Sequence, residues 1–168
     1  MFFGIPFGPE LHVAGGPDKT LFVGWSAVYR IAQITQLGDT VRIIERTLAA
    51  VPISDAEWDE RTYRYRRMRE DHPGAECEPS EQPRPASKPS FRWIGQSMDH
   101  GLWVEVYTPE GFVFEVFDPT GRLIGRLPAQ TRDRRVPPVT SGDRLAIVAR
   151  DSLDVQYVEL YRVMAGTR

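Results

Sequence analysis

The chain has 168 residues, 41% of them hydrophobic and 26% charged, a composition typical of a folded globular domain rather than a disordered or membrane-spanning chain. Its formal net charge of −2 gives no electrostatic case for binding nucleic acid or an anionic membrane, so neither is expected as a partner. The length favours one domain, residues 1–168, with a sizeable core.

The N-terminal stretch MFFGIPFGPELHVAGG does not have the pattern of a secretory signal. It contains no basic segment, and Gly4, Pro6 and Gly8 interrupt its apolar run. We therefore expect a cytoplasmic location by default, and an exported one if the sequence is a fragment of a longer protein. Its first part, MFFGIPF, is strand-like but belongs to no complete unit of the pattern that follows.

Residues 11–47 predict a meander of four strands. The apolar segments LHVAGG, TLFVGWS, YRIAQI and VRIIER follow one another, with the turn signals PDK and QLGD among them. Four short antiparallel strands joined by short turns form one blade of a β-propeller. We take this segment as the first blade.

Residues 48–89 predict a helix and a linker inserted between blades. Ser54 and Glu57 have the spacing of a capping box, which begins a helix that runs to about Glu70. Acidic residues crowd its first turns and arginines its last turns, the order that complements the helix dipole. The stretch HPGAECEPSEQPRPASKP that follows is rich in Pro, Glu and Ser, which is typical of an extended linker.

Residues 90–128 predict a second blade. Four apolar segments, beginning with FRWIGQ, are joined by the polar stretch SMDHG and by the turns TPEG and DPTG. In both turns Pro presets φ at the second position, and Gly relieves the exit at the fourth. Each of the two middle strands has one charged interruption, Glu105 in the first and Glu115 in the second.

Residues 136–168 predict a third blade that is one strand short. Aligning PDKTLFVG, MDHGLWVE and SGDRLAIV puts Leu21, Leu102 and Leu145 in register, and a period of roughly 40–50 residues is typical of propeller blades. Two interpretations of the missing strand are open: residues 1–7 complete the third blade, or both ends are cut edges. The predicted fold is all-β: a half-propeller of four-stranded antiparallel meander blades with one helical insert.

Several of these segments resemble a known family. PFGPELHVAGGPDKTLFVGWSAVYRI, KPSFRWIGQSMDHGLWVEV and GDRLAIVARDSLDVQYVELYRV are similar to the later blades of bacterial six-bladed, NHL-like β-propeller proteins. The resemblance implies that this chain corresponds to the C-terminal half of such a protein, about three blades. It implies little about activity, because those proteins are mostly uncharacterised, and many of them are exported or lipid-anchored.

The sequence predicts no catalytic, cofactor-binding or metal-binding residue, and no cofactor. His12, His72 and His100 are the only histidines, and they lie far apart in the sequence. A metal site would need Asp99, His100 and Asp143 to converge on folding, and a plain turn at residues 99–101 is the simpler interpretation.

Other chemistry-bearing residues also have structural interpretations. Asp118 and Asp151 lie in turns, where an Asp side chain accepts hydrogen bonds from nearby backbone amides. Asp151 and Asp154 form a carboxylate pair, which by itself is weak evidence for acid–base chemistry. Cys77 is the one cysteine, and its acidic neighbours disfavour a reactive thiolate. The aromatic residues on the strands are expected to pack between blades: Trp25, Trp93, Trp103, Phe112, Phe114 and Phe117.

These observations favour a non-enzymatic binding or scaffold module with a protein or small-molecule ligand. The alternative is a propeller-type hydrolase or lyase with a metal or acidic site at the channel mouth. Each blade of a propeller packs between two neighbours, so three blades leave two apolar faces open. We therefore expect self-association, or pairing with a second half-propeller.

Overall fold

The computed structural model describes residues 5–71, 84–97, 101–127, 132–133, 135–141 and 143–162. These residues form three antiparallel sheets and one α-helix, which confirms the predicted all-β fold with a helical insert. Among them, no helix combines the length and the apolarity that a membrane span requires.

The first sheet is a meander in the order β1-β2-β3-β4. Its strands are β1 (Leu11–Gly15), β2 (Leu21–Trp25), β3 (Arg30–Ile34) and β4 (Thr40–Glu45). The turn after β1 is a short 3₁₀ helix, Pro17–Lys19, and the turn before β4 contains Gly38 at a φ of 91°. A positive φ suits glycine, so the QLGD signal marks a real turn.

The helical insert begins with the predicted capping box. The helix α1 spans Asp55–Asp71. Ser54 Oγ accepts a hydrogen bond from the Glu57 amide at 3.2 Å, and the Glu57 carboxylate accepts one from the Ser54 amide at 3.1 Å. Two orphan amide donors are thus satisfied at the start of the helix.

The base of the insert is closed, which fixes where α1 begins relative to the sheets. Pro52 and Ser87 form an isolated antiparallel bridge, and the Lys88 amide donates to the Val51 carbonyl at 2.8 Å. The Lys88 ammonium is also paired with the Glu57 carboxylate. The first turns of the helix are therefore held beside the second sheet.

The second and third sheets repeat the meander. The second contains β5 (Phe91–Gln96), β6 (Leu102–Thr108), β7 (Gly111–Phe117) and β8 (Leu123–Leu127), in that order. The third contains β9 (Val139–Ser141), β10 (Arg144–Arg150) and β11 (Gln156–Arg162), with β10 in the middle.

The turn interpretation of two aspartates is confirmed. Asp118 Oδ1 accepts hydrogen bonds from the amides of Thr120 and Arg122 at 2.9 and 3.0 Å. Asp151 Oδ1 accepts from the amides of Leu153 and Val155 in the same way. Both carboxylates hold the ends of a hairpin, which accounts for them without catalysis.

The second sheet is buried on both faces. One face packs against the first sheet through Leu102, Val104, Val106 and Phe117, which meet Phe22, Ile31 and Ile44. The opposite face packs against the third sheet through Trp103, Phe114, Val116 and Leu127, which meet Leu145 and Ile147. Burial on both faces explains why β6 and β7 are nearly continuous apolar runs.

The three sheets are stacked with their first strands together. β1 lies against β5, and β5 lies against β9, so the first strands form a common inner edge. This stacking of antiparallel meanders is that of consecutive propeller blades.

The third sheet has three strands among the described residues, and residues 5–7 do not supply a fourth. Residues 5–7 form a turn: Phe7 has a φ of 59°, and the Gly8 amide donates to the Ile5 carbonyl at 2.8 Å. Pro6 lacks the amide hydrogen that a strand pairing would use. Residues 5–7 therefore do not complete the third blade, which was one of the two interpretations left open by the sequence, and residues 1–4 lie outside the described part.

Candidate functional site

A cavity of about 440 Å³ lies at the end of the inner edge where β1 and β5 begin. The N-terminal turn, both inner strands and α1 contribute to its wall. The lining residues are Ile5, Pro6, Phe7, Gly8, Glu10, His12, Ser26, Arg61, Pro89, Phe91, Arg92, Tyr107 and Arg132.

One wall of the cavity is aromatic. The rings of His12 and Phe91 lie 5.3 Å apart between centroids, because β1 and β5 are neighbours at the inner edge. Gly24, on β2, makes room for this pair, since a Cβ there would lie 2.8 Å from the Phe91 ring. Burial lowers the pKa of His12 and outweighs the opposing effect of Glu10. His12 is therefore an uncharged imidazole at neutral pH.

Arg92 reaches the cavity from a bulge in β5. The register between β5 and β6 shifts between Phe91 and Trp93, which places Arg92 at the irregularity. The Arg92 guanidinium carbon lies 3.2 Å from the centroid of the Phe112 ring, a close cation–π contact. Its Nε atom is buried and has no hydrogen-bond acceptor among the described residues.

Glu105 is the buried partner of two cavity arginines. Arg132 donates to both of its carboxylate oxygens, at 3.1 and 2.7 Å, and Arg92 donates to Oε1 at 2.6 Å. Burial alone would raise the pKa of Glu105, but hydrogen bonds from Arg132 and Arg92 outweigh it and hold the pKa below its usual range. The carboxylate is therefore ionised at neutral pH.

The lowered pKa of Glu105 predicts an acid-dependent loss of stability. A carboxyl group whose pKa is lower in the folded state stabilises the fold above its unfolded pKa, and this contribution disappears as the pH falls through the folded pKa. We expect the difference in unfolding free energy between the unaltered chain and Glu105→Gln to become smaller as the pH falls below 4.5, which is the ordinary pKa of a glutamate side chain. Urea unfolding from pH 7 to pH 3 measures it, and a difference independent of pH would contradict the prediction.

A second buried glutamate occupies the opposite face of the second sheet. The Glu115 carboxylate accepts hydrogen bonds from the Tyr29 hydroxyl at 2.8 Å, from Arg46 at 2.9 Å and from Arg126 at 2.6 Å. Burial, followed by the charge of Glu115, raises the pKa of Tyr29 and keeps this phenol protonated. Each of the two layers between sheets thus contains one buried glutamate held by two arginines.

Of the histidines and acidic residues considered from the sequence, the structure brings His12 to the cavity, although the sequence predicted no site residue. Asp143 instead pairs with Arg162 at 2.6 Å, while His72, Cys77, Asp99 and His100 lie outside the described residues. Within the described ranges no group of three or more His, Cys, Asp or Glu side chains could hold a metal ion.

The predicted packing of aromatic residues between blades holds for most of them. Trp93, Trp103, Phe114 and Phe117 pack in the two layers between the sheets. Trp25 instead lies exposed on the outer face of the first sheet. No other described sheet packs on that face.

The cavity arginines Arg61, Arg92 and Arg132 were missed by sequence reasoning. Arg61 lies on α1, whose arginines are explained by the helix dipole, and its side chain is exposed. The available signal was the single charge in each middle strand, because a buried glutamate needs cationic partners. Nothing local in the sequence identifies those partners.

Comparisons with known proteins identify no family for this chain. No protein-family model matches the chain, and no curated protein matches it. Among solved structures, the selenomethionine-substituted virginiamycin B lyase from Staphylococcus aureus is 16% identical with a TM-score of 0.39. A protein of unknown function from Bacteroides caccae is 12% identical with a TM-score of 0.25.

The two alignments cover 92% and 93% of this chain, which spans 41% and 55% of the length of those proteins. At such TM-scores neither likeness carries an argument. The assignment of the sheets as blades rests on their strand order, their burial and their common inner edge.

Proposed function

We propose that this chain is a non-enzymatic binding module built from propeller blades, and that its cavity takes a small anionic ligand with an apolar ring. The volume of about 440 Å³ lies within the roughly 300–1,000 Å³ typical of small-molecule sites. The cavity also has the usual composition of such sites, an apolar wall with a few polar groups.

The charge of the lining supports an anionic ligand. Arg61, Arg92 and Arg132 line the cavity, against one lining carboxylate, Glu10. Arg92 and Arg132 are both paired with the single carboxylate of Glu105, so these three side chains together carry a net charge of +1. Arg61 makes no ion pair with any described residue, and its guanidinium lies 5.7 Å from the Phe7 ring centroid.

The observation that carries the proposal is the presence of two guanidinium groups with unused donors at one cavity. Arg61 is exposed and without a carboxylate partner in the described part of the chain, and Arg92 has a buried Nε without an acceptor. Guanidinium donors match the oxygens of carboxylates and phosphates. The partly exposed rings of Phe7 and Tyr107 supply the surface for an apolar portion of the ligand.

Binding of simple probes tests the proposal. We expect benzoate and phenyl phosphate to bind in calorimetric or NMR titrations, with benzamide and benzylamine binding at least tenfold more weakly. Arg61→Gln removes one charge-assisted hydrogen bond, about 1.5–3 kcal/mol, so the anions should bind roughly ten- to a hundredfold more weakly. The matched control is Arg66→Gln, on the same helix, whose guanidinium pairs with Asp59 instead.

Two results would count against an anion site in this cavity. One is equal affinity for benzoate, benzamide and benzylamine, which would show that charge does not select the ligand. The other is an equal loss of affinity in Arg61→Gln and Arg66→Gln, which would show a general effect of helix charge.

A further inference from the structure

Among the described residues, the outermost sheets each leave one apolar face without a partner. On the first sheet the outward side chains include Leu11, Val13, Leu21, Trp25 and Ile43, and all five are exposed. On the third sheet they include Val139, Val158 and Leu160, which are also exposed. We call these surfaces the leading face (first sheet) and the trailing face (third sheet). Contiguous apolar surfaces of this kind are usual for interaction sites.

The repeat shows what kind of surface the leading face is. Leu21, Leu102 and Leu145 occupy equivalent positions in the three blades. Leu102 packs against the blade that precedes it, the first sheet, and Leu145 packs against the second sheet in the same sense. Leu21 therefore belongs to the side of a blade that packs on a preceding blade, and in this chain that side is 41% exposed at Leu21.

The same register identifies the trailing face. Phe22 and Trp103 are equivalent, and each packs against the blade that follows it. The equivalent residue in the third blade is Ala146, on the side that bears Val158 and Leu160: Ala146 pairs with Leu160, and Val148 with Val158. The trailing face is thus the side of a blade on which a following blade packs.

We propose that a second copy of this chain closes the ring, with its leading face on the trailing face of the first copy and the reverse contact on the other side. The two open faces are of the two types that already pack together twice within the chain, between the first and second and the second and third sheets. The second copy therefore continues an interface that the chain itself contains.

The number of blades selects two copies. Propellers typically close with about four to eight blades, and the only multiple of three in that range is six. Two copies related by a two-fold axis along the channel make two identical head-to-tail contacts, which leaves no blade face open. The cavity described above lies between two sheets of one chain, so this inference does not depend on the ligand proposal.

Substitution of exposed residues on each face tests the contact without disturbing the core. Leu21→Glu places a charge on the leading face, and Val158→Lys places one on the trailing face, where Val158 is 69% exposed. Each homodimer would then bury two unpaired charges, so we expect the dissociation constant to rise at least about a hundredfold. The matched controls are Leu37→Glu and Leu153→Lys, at turn positions that are 90% and 81% exposed and lie off both faces.

A mixture of the two variants distinguishes the arrangement. In a head-to-tail ring, one contact of the mixed pair joins two unaltered faces, and the other joins the introduced Glu face to the introduced Lys face. We therefore expect sedimentation velocity to show monomers for each variant alone and dimers for the mixture. Circular dichroism of each variant checks that the sheets remain folded.

Each other outcome would overturn the inference. A monomeric unaltered chain would exclude closure by a second copy. A dimeric Val158→Lys beside a monomeric Leu21→Glu would show that leading faces pair with each other. Folded variants that stay monomeric in the mixture, or controls that dissociate as the face variants do, would exclude the head-to-tail contact.

Discussion

Replacing Glu105 with alanine is expected to lower the free energy of unfolding by about 3–5 kcal/mol, the range for breaking a buried ion pair on one side. The substitution leaves Arg92 and Arg132 without their shared carboxylate, and both guanidinium groups are largely buried. The cost therefore comes from two uncompensated charges rather than from one lost hydrogen bond.

Chemical denaturation at pH 7 measures this loss. The matched control is Glu110→Ala. Glu110 is exposed in the hairpin turn between β6, the strand of Glu105, and β7, and we expect its substitution to change the unfolding free energy by no more than about 0.5 kcal/mol. Glu105→Gln should fall between the two, because it keeps acceptor geometry but removes the charge. An unfolding free energy of Glu105→Ala within about 1 kcal/mol of that of the unaltered chain would contradict this role.

Trp103→Ala is expected to be equally damaging, with a loss of about 3–5 kcal/mol from removal of a fully buried aromatic side chain. Trp103 is 0% exposed and packs between the second and third sheets, with its ring 6.2 Å from that of Phe114. Removing the indole opens a cavity that rigid strands on both sides cannot close. The loss should therefore exceed the transfer free energy of the side chain alone.

A second substitution at Trp103 separates packing from polarity. The indole Nε1 is buried and has no hydrogen-bond acceptor among the described residues, so Trp103→Phe removes an unsatisfied donor while it keeps most of the ring volume. We expect a smaller loss than for Trp103→Ala. Thermal or urea unfolding measures both variants against Leu37→Ala, a control in an exposed turn. Equal losses for Trp103→Phe and Trp103→Ala would contradict the packing argument.

The fold was predictable because its signals are local. The turn of Asp118 and Gly121 is encoded in four consecutive residues, and the capping box of Ser54 and Glu57 spans another four. The register of Leu21, Leu102 and Leu145 follows from the repeat itself. These features define blades without any long-range information.

The site was not predictable in the same way, because its pairs are distant in sequence. Arg132 and Glu105 are 27 residues apart, and Arg46 and Glu115 are 69 residues apart. A single charge in an apolar strand indicates that a partner exists, but the stacking of the sheets decides which arginine supplies it. Arg61 reaches the cavity only because the closed base of the insert holds α1 beside β5.

The open blade faces are predicted by the sequence, and they are the basis of the proposed assembly. The sequence predicts that three blades leave two faces unpaired, and the structure shows apolar side chains exposed on both outermost sheets. It also shows which face is leading and which is trailing, since Leu102 and Leu145 pack on the preceding sheet, whereas Phe22 and Trp103 pack on the following one. That polarity supports the proposed assembly with a second copy.

The molar mass of the unaltered chain in solution, from light scattering behind a sizing column, is the decisive measurement. Closure of the ring by a second copy predicts a single species of about twice the 19.1 kDa of one chain at micromolar concentration. A single species of 19.1 kDa at micromolar concentrations would contradict ring closure by a second copy.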